Sequence, residues 1–255
     1  MSEVEHGGEI GTSVKLGVVV CGFDGSPAAL DAARQAASYA DAGARIIGVS
    51  SWDSGLAFHA GIHAGAVSRE LREASEEALR AAAAELPDLE QILMRGPDVA
   101  SLLAAAAEAE ADLLCVGSHG GSRLSGVITG SVATALAHHA PCPVLIGRES
   151  QGSGAAGPIL HATDGSEDSA VAGALAGRIA TRAGLELRSL SVGEGDGDVA
   201  EQITDAANEM GAALLVVGAR GHTGLRSLGS VSEKVAHRAP CSVLIVRPKA
   251  HPERA

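Results

Sequence analysis

The chain has 255 residues and a formal net charge of −12, with 31 acidic against 19 basic side chains. That balance excludes general attraction to nucleic acid or anionic lipid, and no apolar run nears the ~20 residues that span a bilayer. With four aromatic residues in all, the interior must be built from Val, Leu, Ile and Ala, which suits a parallel sheet packed on Ala-rich helices. The length allows two domains of ordinary size, each with its own core.

Residues 1–12 carry three Glu and no apolar stretch, so no secretory signal is expected there. Cys21, Cys115, Cys142 and Cys241 lie in or beside apolar strand candidates without CxxC spacing. They read as reduced buried thiols of a cytoplasmic protein, the alternative being a zinc site or redox pair.

In chain order, Val18–Cys21 is a short apolar strand. Ser26 caps a helix that has Pro27 at its first position and runs to about Ala42, where Gly43 stops it. Arg45–Val49 is the second strand. Ser68–Leu86 carries a helical stripe of Leu71, Ala74, Ala78, Leu79, Ala82 and Leu86, ended by Pro87. Leu89–Met94 is a third strand, Asp98–Ala109 a helix and Asp112–Val116 a fourth strand. A last helix follows Gly130, and Pro143–Ile146 is the fifth strand. Alternating strands and helices predict an α/β, doubly wound parallel sheet.

The chain then repeats itself. Val18-Val-Val-Cys-Gly-Phe-Asp-Gly-Ser26 recurs as Ile159-Leu-His-Ala-Thr-Asp-Gly-Ser166, with Asp24 and Asp164 140 residues apart. Leu113-Leu-Cys-Val-Gly-Ser-His-Gly120 recurs as Leu214-Leu-Val-Val-Gly-Ala-Arg-Gly221. Gly130-Ser-Val and His139-Ala-Pro-Cys-Pro-Val-Leu-Ile146 recur as Gly229-Ser-Val and Arg238-Ala-Pro-Cys-Ser-Val-Leu-Ile245, with 11 residues from Ser to Cys both times. Three collinear blocks indicate a duplication. Glu149–Gly157 is rich in Gly and Ser and reads as a flexible linker, dividing the chain into residues 1–151 and 152–255. The second copy is abbreviated: Asp24 to Gly117 spans 93 residues, Asp164 to Gly218 only 54. After a strand at Leu185–Val192 the chain enters a helix at Val199–Met210, so the long second helix and one strand are missing.

The chemistry points to one constellation. Gly117-Ser-His-Gly120 follows a buried strand, and nine residues later Gly130-Ser131 opens a helix. The glycines sit at the carboxyl end of the sheet, where doubly wound folds bind ligands, and allow backbone N–H groups near phosphate oxygens. The helix N-terminus favours an anion, and the Ser131 hydroxyl can bond to a phosphate or touch its cation. The competing reading is that the glycines only shape a tight turn.

These features resemble the universal stress protein family. The resemblance covers nearly all of residues 14–148 and, with a gap, 158–248. It rests on the Asp-Gly-Ser after the first strand, on the pattern G-x2-G-x9-G-[ST] met by Gly117, Gly120, Gly130 and Ser131, and on the Ala-Pro-Cys-Pro-Val-Leu-Ile ending. It implies a Rossmann-like fold and binding of ATP, or AMP or another adenine nucleotide, without catalysis. By position it implies that Asp24 contacts the adenosine part and that Val49 meets the adenine ring, partly through its backbone. The Gly117–Ser131 loop, with Val132 beside it, would hold the phosphates. Asp24 has an alternative as a first-turn helix charge. His119 and Arg123 either add positive charge near phosphate or are solvated loop residues. His138 and His139 end a helix, where a cation suits the dipole.

ATP carries about four negative charges, so Mg²⁺ bound mainly through phosphate and water is expected with it. No all-protein metal site is expected. The runner-up function is slow ATP hydrolysis or self-phosphorylation on Thr129 or Ser131, and a third is a scaffold without ligand. No GxxxxGK[ST], HExxH, GxSxG or kinase signature occurs.

The second copy departs from the pattern, with seven residues rather than nine between Gly221 and Gly229. Arg220, His222 and Arg226 can still attract an anion, yet the cradle is short, and the copy reads as degenerate. The resemblance also implies pairing through the last strand, which is common in the family. Pro143–Ile146 and Ser242–Val246 are therefore expected to pair antiparallel within the chain as an intramolecular pseudo-dimer, with a homodimer of the whole chain as a further option.

Overall fold

The first strand of each copy is too apolar for any place but the middle of a sheet, and each is followed by a capped helix that covers it. The computed structural model describes residues 15–53, 64–118, 129–148, 157–193, 198–220 and 228–247. The first copy supplies β1 (Val18–Gly22), α1 (Pro27–Tyr39), β2 (Arg45–Trp52), α2 (Ala64–Glu85), β3 (Leu89–Arg95), α3 (Asp98–Glu108), β4 (Leu113–Gly117), α4 (Ser131–His139) and β5 (Val144–Gly147). The second supplies β6 (Ile159–Thr163), α5 (Glu167–Ala183), β7 (Leu187–Ser191), α6 (Val199–Glu209), β8 (Leu214–Gly218), α7 (Ser230–Arg238) and β9 (Ser242–Val246).

The expected Ser26 cap is present, and the second copy repeats it at Ser166. The Ser26 hydroxyl accepts from the Ala29 amide at 3.2 Å, with Pro27 opening α1, and Ser166 accepts from Ser169 at 3.3 Å. Other boundaries differ. The first helix ends at Tyr39, because Ala40 turns extended at ψ 153°. Asp41 then takes the chain back: its carboxylate accepts from the Leu16 amide, and its own amide donates to the Leu16 carbonyl. Gly43 at φ +75° serves this turn and not the helix end. Strand β2 runs three residues past Val49, because Ser50, Ser51 and Trp52 pair with Leu93, Met94 and Arg95 of β3. Leu185 belongs to the close of α5, where Gly184 is left-handed and the Leu185 amide donates to Ala180.

Among the described residues nine strands form one sheet in the order β3-β2-β1-β4-β5-β9-β8-β6-β7. Every pairing is parallel except β5 with β9, where Val144, Leu145 and Ile146 face Ile245, Leu244 and Val243. The last strands of the two copies thus join antiparallel, and the sheet crosses from one copy to the other without a break.

That continuity changes where the cores lie. They do not divide by copy. Side chains alternate across a strand, so Val19 and Cys21 face one side and Val20 the other. One apolar layer packs α1, α2 and α5 on Val19, Cys21, Leu145, Ile159 and Leu244. The opposite layer packs α3, α4, α6 and α7 on Val20, Leu114, Ile146, Leu160 and Val243. Each layer runs through both copies. Among the described residues nothing in the second copy matches α2 and β3, and β7 is accordingly exposed along most of its length.

Candidate functional site

Within the first copy, β1 lies between β2 and β4. The chain leaves β1 outward through β2 and β3, then returns to build β4 and β5 on the other side. Such a switch point leaves a crevice at the carboxyl ends of the strands. A cleft of about 720 Å³ opens there. Its walls come from the ends of β1, β2 and β4, from α2, and from the N-terminal turns of α3 and α4. Asp24, Val49, Gly117, Gly130, Ser131 and Val132 all line it. His119, Gly120 and Arg123 lie outside the described residues, as do Gly221, His222, Arg226 and the linker boundary at residue 152.

Asp24 is exposed at the mouth, and its Oδ1 accepts from the Ser26 amide at 2.9 Å. That bond fixes the carboxylate without consuming its second oxygen. Val49 is only 1% exposed. Its carbonyl accepts from the Phe23 amide at 2.8 Å and is committed to the sheet, so the side chain is what Val49 most directly offers the cleft.

Gly117 has a structural reason to be glycine. A Cβ there would stand 2.8 Å from the Ala29 nitrogen and 2.9 Å from the Ala28 carbonyl carbon. Gly218 meets the first turn of α5 the same way, 2.9 Å from the Ser169 nitrogen. The glycine that ends this strand therefore lets a helix start cross the strand end in both copies.

Gly130 has the ordinary φ of −59°, and its amide donates to the Ser118 carbonyl at 2.7 Å. The Ser118 amide in turn donates to Gly147 at 2.7 Å, so the two ends of the intervening loop are tied at one point. The amides left to meet an anion are those of the first turn of α4, Ser131, Val132 and Ala133. They have no intrahelical carbonyl to bond, and the Gly130 cap contributes no side chain.

Residues that no motif singled out also face the cleft. The Ser51 hydroxyl donates to Asp98 at 2.6 Å, the Ser75 hydroxyl donates to the Ser51 carbonyl at 2.9 Å, and Trp52 stacks under the Arg95 guanidinium at 5.3 Å. Asp98 follows Pro97 and reads in the sequence as an ordinary first-turn helix acid; only the fold brings it to Ser51. Asp24, Asp53 and Asp98 make the described lining acidic, with no Lys, Arg or His among the described lining residues. No group of three or more His, Cys, Asp or Glu among the described residues is arranged for a metal ion.

At the matching strand end of the second copy two side chains pair with each other. Asp168, 5% exposed, takes both Nε and Nη2 of Arg220 at 2.9 Å and accepts the Arg220 amide at 3.2 Å. The hydrogen bonds to Asp168 raise the Arg220 pKa further. Arg220, which the sequence reads as able to attract an anion, is paired with this internal carboxylate. Asp164 holds the Ser166 amide at 3.0 Å and the Ser166 hydroxyl at 2.6 Å.

Pro141 and Pro240 have no N–H, so the carbonyls four residues earlier, Ala137 and Ala236, lose their helical donors. An Arg from the opposite copy fills each gap. Arg148 donates to Ala236 at 2.8 Å and to His237 at 3.3 Å, while Arg247 donates to Ala137 and, at 3.2 Å, to His138. A cation at a helix C-terminus also suits the dipole, and His138 and His139 stand in the last turn of α4. Burial lowers the pKa of both Arg.

Comparison with known proteins accords with this architecture. The model of the universal stress protein family matches residues 16–148 and 190–247. A universal stress protein of Mycolicibacterium smegmatis is 29% identical over 188 residues, covering 56% of this chain and 64% of that protein. One of Mycobacterium tuberculosis is 36% identical over 141 residues, covering 51% of this chain and 47% of that one. The chain spans about half the length of the curated relatives it matches. Among solved structures, a universal stress protein from Archaeoglobus fulgidus superposes with a TM-score of 0.72 at 20% identity, over 92% of this chain and 98% of that one, which is a likeness of fold. On the family match over both copies, together with the shared fold, the chain belongs to the universal stress protein family.

Proposed function

We propose that the first copy binds an adenine nucleotide, ATP with Mg²⁺, and that the protein acts by binding rather than by catalysis in a stress-response or signalling role. The observation that carries this reading is the convergence of Asp24, Val49, Gly117 and the Gly130–Val132 turn on one cleft at the switch point. Asp24 would take the ribose, Val49 the base, and the first-turn amides of α4 the phosphates. The acidic lining supports a divalent cation: Asp24, Asp53 and Asp98 repel a bare triphosphate. The cation would bind through phosphate oxygens and water, with His119 and Arg123 as further positive charge.

The enzyme reading stands second. Thr129 is buried and its hydroxyl donates to Ala236 at 2.6 Å, which takes it away as a phosphoryl acceptor and leaves Ser131. The same acidic lining favours a nucleotide with fewer charges, AMP or a cyclic nucleotide, over ATP without metal. The antiparallel β5–β9 join and the exchanged Arg caps support residues 1–151 and 152–255 as an intramolecular pseudo-dimer, and light scattering tests for a further homodimer. Free thiols at Cys21, Cys115, Cys142 and Cys241 accord with a cytoplasmic location. No helix among the described residues is long and apolar enough to cross a membrane.

Heating the purified protein and identifying the released nucleotide tests the proposal. ATP supports binding without turnover, ADP indicates hydrolysis, AMP or a cyclic nucleotide redefines the ligand, and no nucleotide together with no affinity for added ATP refutes it.

A further inference from the structure

The two copies repeat the same backbone hydrogen bonds around the start of their last helices. Gly130 donates to Ser118 and Ser118 to Gly147; Gly229 donates to Ala219 and Ala219 to Val246. The residue just before the glycine breaks the symmetry. In the first copy it is Thr129, 2% exposed, and in the second it is Leu228, 7% exposed. The Thr129 hydroxyl donates at 2.6 Å to the carbonyl of Ala236, in the last turn of α7 and 107 residues away. Leu228 has no hydroxyl, so the reverse bond to Ala137 is not made.

Ala236 is the acceptor that Pro240 deprives of a helical donor, and it also receives Arg148 at 2.8 Å. The Arg148 amide donates to the Ser242 hydroxyl at 3.0 Å. A connected set of bonds therefore leads from β9 and α7 of the second copy to the residue that precedes the ligand-facing turn of the first. The next residue is Gly130, whose amide is tied to Ser118 in the cleft wall.

We propose that Thr129 is a positioning residue through which the second copy holds the phosphate-facing helix start of the first, so that the second copy supports binding without binding ligand itself. Occupancy of the first cleft is thereby felt at the end of α7, and among the described residues Leu228 offers no matching hydroxyl bond to the end of α4. This rests on the reading of the cleft as the nucleotide site.

The test uses the full chain and three variants. Thr129→Val keeps the shape and removes the donor, Thr129→Ser keeps the donor, and Leu228→Val trims the matching residue. Magnesium-ATP is the titrated probe, and amide hydrogen exchange is followed at Gly130–Ala133 and at residues 235–239, with and without it. A lost hydrogen bond of ordinary strength predicts about three- to tenfold weaker binding for Thr129→Val, with Thr129→Ser and Leu228→Val close to the parent. In the parent, magnesium-ATP should slow exchange at residues 235–239; in Thr129→Val that response should vanish, a change that lower stability alone would not produce. Parent-like affinity and an intact response in Thr129→Val would overturn the proposal. The ligand-free arm separates the two readings: if the parent binds no magnesium-ATP, the nucleotide assignment fails. Faster exchange at Gly130–Ala133 in ligand-free Thr129→Val then still supports the brace, and unchanged exchange overturns it.

Discussion

Replacing Arg148 by Met removes one of the two exchanged helix caps while keeping an aliphatic stem in the same half-buried space. The loss can be worked from its contacts. Arg148 makes one short bond to Ala236 at 2.8 Å and one long bond to His237 at 3.3 Å. Charge-assisted bonds contribute about 1.5–3 kcal/mol each, and the long one belongs at or below the lower end. Cation and helix dipole add about 0.3–1 kcal/mol. Against this, the guanidinium no longer has to be desolvated, a cost visible in its lowered pKa. Ala236 also keeps the Thr129 hydroxyl as a donor. The net expectation is a loss of about 2 kcal/mol, or roughly 4–8 °C in Tm for a chain of this size. Arg247→Met should cost about 1 kcal/mol more, because no other donor reaches the Ala137 carbonyl among the described residues. Scanning calorimetry of the two variants and of the double variant checks both numbers. A change below about 0.5 kcal/mol in either, or a larger loss from Arg148→Met than from Arg247→Met, would refute the claim that these Arg serve carbonyls orphaned by proline.

Three further outcomes follow from the site and the core. Gly130→Val should weaken ATP at least about tenfold by screening the Ser131–Ala133 amides, and Gly229→Val should leave it unchanged; isothermal titration showing two equivalent sites, or loss only in Gly229→Val, would put the ligand in the wrong half. Chelation of divalent cations should reduce ATP affinity, since three carboxylates line the cleft; equal affinity with and without chelator would remove the cation. Burial holds the His161 imidazole below its usual 6.5. The unfolded chain therefore takes up this proton first, and the His161 contribution is present above pH 6.5 and declines as pH falls towards the folded value. Unfolding free energies measured over that range should depend less on pH in His161→Cys, Cys21 being the matching residue of the first copy; identical slopes would contradict it.

Much of this protein was legible from local chemistry. Apolar runs such as Val18–Cys21 and Leu214–Val217, the cap at Ser26, and the repeat of Ala-Pro-Cys mark strands, a helix start and the duplication, because each is written in residues only a few positions apart. Element ends were less legible. The turn at Asp41 and the extra length of β2 depend on Leu16 and on β3, which are distant in the chain. In the candidate site the same residue type admitted two causes. The sequence reads Gly117 as room for phosphate; in the structure the backbone of α1 also fills the space its side chain would need. The pairs Asp168–Arg220, Thr129–Ala236, Arg148–Ala236 and Arg247–Ala137 carry no periodicity or motif. The sequence by itself determined which carbonyls lack donors, since Pro141 and Pro240 have no N–H. Only the tertiary structure decided which side chains answer them, because the joining of β5 to β9 brings each Arg to the helix end of the opposite copy.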